Sequence, residues 1–234
     1  RKDRFKKGSI AFDRHEVKFD LDDEGKPLGV YFKEHKESNE LVEEFMLLAN
    51  RRVAEYAGRG GKYEKEVPKD EQKAAKKKAK TFVYRIHDLP DSEKLESFTM
   101  FISKFGYELN LGSNQQVAVS MNRLLDSVKG KNEQHVIENM ALRAMAKARY
   151  STKNIGHYGL AFSDYSHFTS PIRRYPDLMV HRLLAHYLAG GESKKADKYE
   201  SRCEHASEME RKAVEAERAS IKYKQVEFMQ DKVG

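Results

Sequence analysis

The spacing of apolar positions predicts short strands at the start of the chain and long helices from residue 38 onward. Residues 9–12, 17–21 and 28–32 are short, apolar-rich stretches separated by turn residues, which predicts a β meander. Asp23, Glu24 and Gly25 form its second turn. Asp20, Asp22 and Asp23 resemble a cation loop only in charge. They lack the glycine and the distal glutamate of a calcium-binding loop, so a hairpin turn is the better reading.

Residues 38–57 carry Leu41, Val42, Phe45, Met46, Ala49, Val53 and Tyr56 at helical spacing, with Ser38 as cap and Gly58, Gly60 and Gly61 as stop. Glu43 and Asn50 lie two turns apart and project from one side of that helix beside Leu47. A strand over 81–86 leads through His87 and Asp88 into a helix opened by Pro90 and Asp91 and reaching Phe105. His87 and Asp88 are read as a structural junction, because no Ser or Cys nucleophile accompanies them. Ser113 and Gln116 make a capping box for a helix carrying Val117, Met121, Leu124, Leu125 and Val128. Asn132 is read as the cap of the next helix, with Val136, Ile137, Met140, Ala141, Ala144 and Met145 inward. Further strand is expected within 145–162, and a long charged helix over 192–230 with few apolar positions before Tyr223 and Val226. The fold class expected is α+β and helix-rich, a meander followed by several packed helices.

Composition narrows the function. The 234 residues are 39% hydrophobic, enough for a core, and 35% charged, against roughly 25% in ordinary domains. Lysine and arginine number 44 against 37 acidic residues, a net charge of +7 that favours a polyanionic partner without specifying chemistry. Residues 61–80 read as a lysine-rich basic insertion, either a solvated loop or a contact for RNA phosphates. Cys203 is the single cysteine, which excludes a disulfide framework and a cysteine metal site. No apolar run spans a bilayer and no secretory leader is present, so a cytoplasmic protein with no membrane partner is expected. The chain opens on Arg1 within RKDRFKKG, which reads as a piece of something longer.

The chemistry gathers in residues 157–182, HYGLAFSDYSHFTSPIRRYPDLMVHR. Tyr158, Phe162, Tyr165 and Phe168 crowd a strand-like stretch, and Thr169 or Ser170 is placed to cap a following helix. Arg173 and Arg174 then fall in its first turn, where cations oppose the helix dipole unless an anion is bound there. Asp177, four residues after Arg173, is placed to hold that guanidinium, and His181 follows on the same face. The plain alternative is a pair of solvated arginines, with Asp177 merely pairing with one of them.

This segment resembles the signature of the ribonuclease II/ribonuclease R family, whose catalytic domain is called RNB. The resemblance runs from Tyr165 to Tyr175 and on through Asp177 and His181, with His157 to Leu160 upstream. It extends to the stretches 8–12, 43–50, 84–88 and 228–234. It implies a hydrolytic 3′→5′ exoribonuclease that acts on single-stranded RNA, releases nucleoside 5′-monophosphates and uses two divalent ions, usually magnesium. It implies a phosphate contact near the scissile bond for Arg173, base stacking for Phe12 and a hold on the last nucleotide for Glu43. Arg174, Ser170, Tyr165 and His167 belong to the same RNA-binding signature. Asp177 and Asn50 support it, and Glu217 and Arg218 fall near a further acidic position of the pocket.

The resemblance also implies an absence. The family's closely spaced metal-binding aspartates have no counterpart in this sequence, and belong to the N-terminal half of the RNB domain. Residues 1–234 are accordingly expected to be the C-terminal part of one RNB domain, without the flanking cold-shock and S1 domains, inactive alone, and prone to self-association along the uncovered seam. Two alternatives stand beside the enzyme: a catalytically dead RNB-like RNA-binding scaffold, and an interaction protein that docks a partner on its long C-terminal helix.

Overall fold

The computed structural model of the protein describes residues 1–10, 16–33, 36–59, 79–230 and 232. In chain order the elements are α1 (Lys2–Lys6), β1 (Glu16–Leu21), β2 (Pro27–Lys33), α2 (Glu37–Gly58), β3 (Tyr84–Ile86), α3 (Ser92–Ser103), α4 (Asn114–Ser127), α5 (Gln134–Ala144), β4 (Arg149–Ser151), a 3-10 turn (Tyr158–Leu160), α6 (Tyr175–Leu188) and α7 (Ala196–Gln230). The chain is the helix-rich α+β fold that its pattern predicts. No helix among the described residues is long and apolar enough to cross a membrane.

β1 and β2 pair as an antiparallel hairpin in which Val17 faces Phe32 and Phe19 faces Val30. Asp22 organises the turn: its Oδ1 accepts the amides of Glu24 (3.0 Å) and Lys26 (2.7 Å). Asp22 and Asp23 thus lie in a turn, as read from the sequence, while Asp20 is part of β1 and faces Gly29. The expected strand over 9–12 is not seen at Ser9 and Ile10, and residues 11 and 12 lie outside the described residues. The Ile10 amide instead donates to the Gly159 carbonyl at 2.9 Å, and the Ser9 hydroxyl donates to the same carbonyl at 3.2 Å. A contact 150 residues away in sequence has replaced the local meander. The lysine-rich stretch expected over 61–80 falls outside the described residues except for its last two positions.

Two cores form. In the first, Leu95, Phe98 and Ile102 of α3 meet Val117, Met121, Leu124 and Leu125 of α4 and Ile137, Ala141 and Ala144 of α5. Asp91 caps α3 by accepting the Lys94 amide, and the Ser113–Gln116 capping box opens α4. α5 opens at Glu133 rather than at the expected Asn132, and Val136 is exposed rather than inward. In the second core, Ala54 and Ala57 of α2 pack with Phe82, Val83 and Ile86, with Met179, Val180 and Leu183 of α6, and with Cys203 of α7. Burial of each large side chain here contributes about 1.5–3 kcal/mol.

β3 pairs antiparallel with β4, Arg85 facing Tyr150. Strand within 145–162 is limited to β4, because the backbone after it bends through the 3-10 turn. α7 lies along β4, where the Tyr150 amide donates to Ser207 Oγ at 2.9 Å. Its far end reaches the hairpin, with Phe228 edge-on to Phe19 at 6.4 Å.

α2 departs from its apolar stripe. Lys36, not Ser38, is its N-cap, with the Asn39 side chain accepting the Lys36 amide at 3.0 Å. Leu41, Val42 and Phe45 are exposed, while Leu47, Asn50, Ala54, Glu55, Ala57 and Gly58 are buried. Helical spacing identifies a face, but only the neighbours decide how much of it is covered. The glycine at 58 is a steric requirement: a Cβ there would stand 3.0 Å from Tyr84 Oη and 3.2 Å from Asp164 Oδ1.

Candidate functional site

Asn50 is the point from which the site is built. It is buried in the middle of α2 and reaches across to the segment following the 3-10 turn. Its Oδ1 accepts the amides of Phe168 (2.9 Å) and Thr169 (3.2 Å), and its Nδ2 donates to Tyr165 Oη (3.1 Å). One side chain thereby satisfies two backbone donors and fixes a buried phenol. Burial raises the Tyr165 pKa above its ordinary value, which keeps the phenol protonated.

Asp177 anchors the other end. It is fully buried in the first turn of α6, and its Oδ1 accepts the Ser170 amide at 2.8 Å and Arg174 Nη2 at 2.9 Å. Asp177 Oδ2, Arg174 Nε and Thr169 Oγ1 are buried with no hydrogen-bond partner among the described residues. Such orphaned groups at one place point to a site whose polar partners come from elsewhere.

Two expectations change here. Arg173 and Arg174 do not lie in the first turn of a helix capped by Thr169 or Ser170. Both precede α6, which starts at Tyr175 with Arg174 as N-cap and Pro176 in its first turn. The Ser170 carbonyl closes a turn with the amides of Arg173 (3.3 Å) and Arg174 (3.0 Å). Proline in the first helical turn sets the start of the helix where its missing N–H costs nothing. Second, Asp177 holds Arg174, not Arg173: the turn directs Arg174 inward and leaves Arg173 exposed. The Arg173 guanidinium has no ion pair among the described residues. His181 does not join it; its Nε2 lies 2.8 Å from the Phe168 carbonyl and its ring stacks on Phe168 at 4.1 Å.

The cleft between α2 and this segment has a volume of about 370 Å³, and its polar wall consists of Asn39, Glu43, Asn50, Tyr165, Thr169 and Arg174. The structure therefore brings together Glu43, Asn50, Tyr165 and Arg174 of the residues singled out from sequence, with Leu47 beside them. Glu43 is half-exposed, 3.9 Å from Arg4 Nη2. His167 turns to the interior, with Nδ1 2.8 Å from Tyr150 Oη. Burial, then the charges of Arg174 and Arg85, push its pKa down to about 2, so it is neutral at physiological pH. Glu217 and Arg218 are exposed on α7 and line none of this cleft. Phe12 lies outside the described residues.

Several supporting groups were not legible in the sequence. Arg59 and Asp164 form a buried ion pair at 3.1 Å, and Asp164 also accepts Asn154 Nδ2 at 2.7 Å. His87, read as a structural junction, is one: its Nε2 lies 2.7 Å from the Ala146 carbonyl, its Nδ1 accepts the Gly159 amide at 3.0 Å, and burial lowers its pKa. Thr169 stood in the sequence only as a helix cap, and nothing in the sequence marked the partner it lacks.

The family implies a divalent metal pair. Among the described residues no group of three or more His, Cys, Asp or Glu converges. The described residues therefore do not supply a ligand set that fits such a pair: Arg173 and Arg174 are cations, and the Asn50 carbonyl oxygen already accepts two amides.

Comparison with known proteins agrees with the geometry. The RNB domain family matches residues 1–190. Ribonuclease R 1 of Lactococcus lactis is 37% identical over 236 residues, which cover 99% of this chain and 27% of that protein. Ribonuclease R of Escherichia coli K12 is 33% identical, covering 100% of this chain and 28% of that protein. The solved structure of Mycoplasma genitalium RNase R in complex with ribose methylated single-stranded RNA superposes with a TM-score of 0.81 at 23% identity, over 100% of this chain and 35% of that one. The chain thus spans about a third or less of the length of these relatives. A match over four-fifths of the chain, which includes the segment that Asn50 and Asp177 hold in place, shows that this chain belongs to the RNB family.

Proposed function

We propose that this chain is the C-terminal part of the catalytic domain of a hydrolytic 3′→5′ exoribonuclease that releases nucleoside 5′-monophosphates from single-stranded RNA. The observation that carries the reading is the exposed Arg173, presented on a turn held from both sides by Asn50 and Asp177. A guanidinium with no internal anion is suited to a phosphate oxygen, and its planar fork neutralises charge that develops on phosphorus. Arg174 is tied to Asp177 and contributes positive potential rather than a free fork. Glu43 stands across the cleft from it and is placed to accept hydrogen bonds from ribose hydroxyls. Tyr165 and Ser170 shape the wall and the turn, and His167 backs them through Tyr150. Phe12 is proposed to stack on the terminal base, while Glu217 and Arg218 lie on α7 outside this cleft.

Magnesium, when bound, supplies activation of the attacking water and neutralisation of the leaving oxygen. Its carboxylate ligands are proposed to lie in the N-terminal half of the RNB domain, so this chain alone is inactive. The test uses a 5′-labelled oligo(A) with magnesium, incubated with this chain and with the longer protein that contains it. Shortening from the 3′ end to monophosphates by the longer protein alone is the expected result. RNA binding without shortening by the longer protein replaces the enzyme with an RNA-binding scaffold, and cleavage by this chain refutes the placement of the metal ligands.

A further inference from the structure

A second cavity, of about 350 Å³, opens where the 3-10 turn meets the start of α4. Its lining includes Lys7, Asp88, Ile155, His157 and Phe162. Ile155 and Leu89, 53% and 48% exposed, give the cavity an exposed apolar edge beside the charged Lys7 and Asp88, a mix typical of a binding surface. His157 is the informative group. Its Nδ1 accepts the Leu160 amide at 3.2 Å, which sets the proton of the neutral ring on Nε2. That N–H has no partner among the described residues. Burial, then the neighbouring His87, pushes the His157 pKa down to about 3, so the ring remains a neutral donor.

The backbone makes room for the cavity. Gly156 has φ +83°, and a Cβ there would stand 2.9 Å from the Phe162 carbonyl. Among the described residues the Lys7 ammonium pairs only with the exposed Asp3, an interaction worth little and easily exchanged. The cavity also adjoins the first cleft. The His157 and Phe162 rings both pack against Tyr165, with centroids 5.4 and 5.7 Å from it, and Tyr165 lines the first cleft.

We propose that this second cavity takes one nucleotide. A planar base lies against Phe162 and Ile155 with its edge on His157 Nε2–H, and the phosphate is held by Lys7. Asp88 disfavours a bare anion and is suited to accept from ribose hydroxyls, which separates a nucleotide from free phosphate as the ligand. The inference rests on the RNA-binding reading above. The nucleotide is either one residue of a bound strand or a free monophosphate, and the test has an arm for each.

The 234-residue chain is titrated with AMP and with inorganic phosphate by calorimetry and amide chemical-shift mapping, and with fluorescent oligo(A) by anisotropy. AMP is expected to shift amides of residues 155–163, while phosphate alone does not. His157→Phe and Lys7→Gln are each expected to weaken AMP about threefold to tenfold, the scale of one hydrogen bond or charge contact. The exposed Lys104→Gln leaves it unchanged. Competition between AMP and oligo(A) assigns the cavity to a strand residue, and simultaneous binding assigns it to a free nucleotide. No saturable AMP binding at about 1 mM, or binding indifferent to both variants, overturns the proposal. If oligo(A) still binds in that case, this inference falls alone; if neither binds, the RNA-binding reading falls with it.

Discussion

Replacing Asn50 with alanine removes the side chain that hydrogen-bonds α2 to Tyr165, Phe168 and Thr169 of the segment bearing the arginines. Three hydrogen bonds disappear: two from the amides of Phe168 and Thr169, and one to Tyr165 Oη. At about 1 kcal/mol net for each, the loss is about 3 kcal/mol, and two backbone donors are left without their acceptor. For a chain of this size, 1 kcal/mol moves Tm by roughly 2–4 °C, so Asn50→Ala is expected to lower Tm by roughly 6–12 °C. Asn50→Asp keeps the acceptor for both amides, and Tyr165 Oη is free to reverse its role and donate. It should retain more than half of the lost stability, despite the cost of a buried charge. Thermal melts by circular dichroism, with oligo(A) anisotropy on the folded fraction, read both effects. A Tm shift for Asn50→Ala below about 2 °C, or equal shifts for the two variants, would refute the claim that Asn50 holds this segment through its carbonyl oxygen.

Arg173→Ala is expected to leave Tm within about 1 °C, as for an ordinary surface change, while weakening oligo(A) binding at low salt; a large loss of Tm would show the side chain to be structural. Asp164→Ala removes the buried acceptor of Arg59 and Asn154 and should cost about 1–3 kcal/mol in urea unfolding, and a neutral outcome would mean the pair is dispensable. His157 and His167 have folded-state pKa values pushed down to about 3 and about 2 from 6.5. Their contribution is intact above pH 6.5 and falls as pH drops below it, because the unfolded chain then takes up protons that the folded chain refuses. Each residue contributes a slope approaching about 1.4 kcal/mol per pH unit well below pH 6.5, so unfolding free energy should fall between pH 6.5 and 5, and a flat profile there would refute the neutral, buried state of both rings.

Much of the secondary structure was legible in the sequence because it depends on neighbours within a turn or two. The capping box at Ser113 and Gln116, the turn at Asp22, and the stripe of α4 are local, and each is present where the pattern placed it. The family was legible for another reason: the run from Tyr165 to Tyr175 is long and specific. The side on which Glu43 and Asn50 project followed from helical geometry alone, and both do line one cleft.

Tertiary structure decided what depends on distant partners. Spacing of four residues allowed Asp177 to hold Arg173, but the turn closed by the Ser170 carbonyl delays α6 and presents Arg174 to the carboxylate instead. Ser9 and Ile10 had strand-like character, yet Gly159 supplied the acceptor they use. The stripe at the start of α2 predicted burial of Leu41, Val42 and Phe45, which have no covering element among the described residues. Asn50 was one polar residue on a helix until the fold brought Tyr165, Phe168 and Thr169 to it from more than a hundred residues away. A sequence records which groups each residue offers and, within a few turns, which of them share a face. Which distant donor meets which acceptor is settled only when the chain closes on itself, because no local periodicity encodes it.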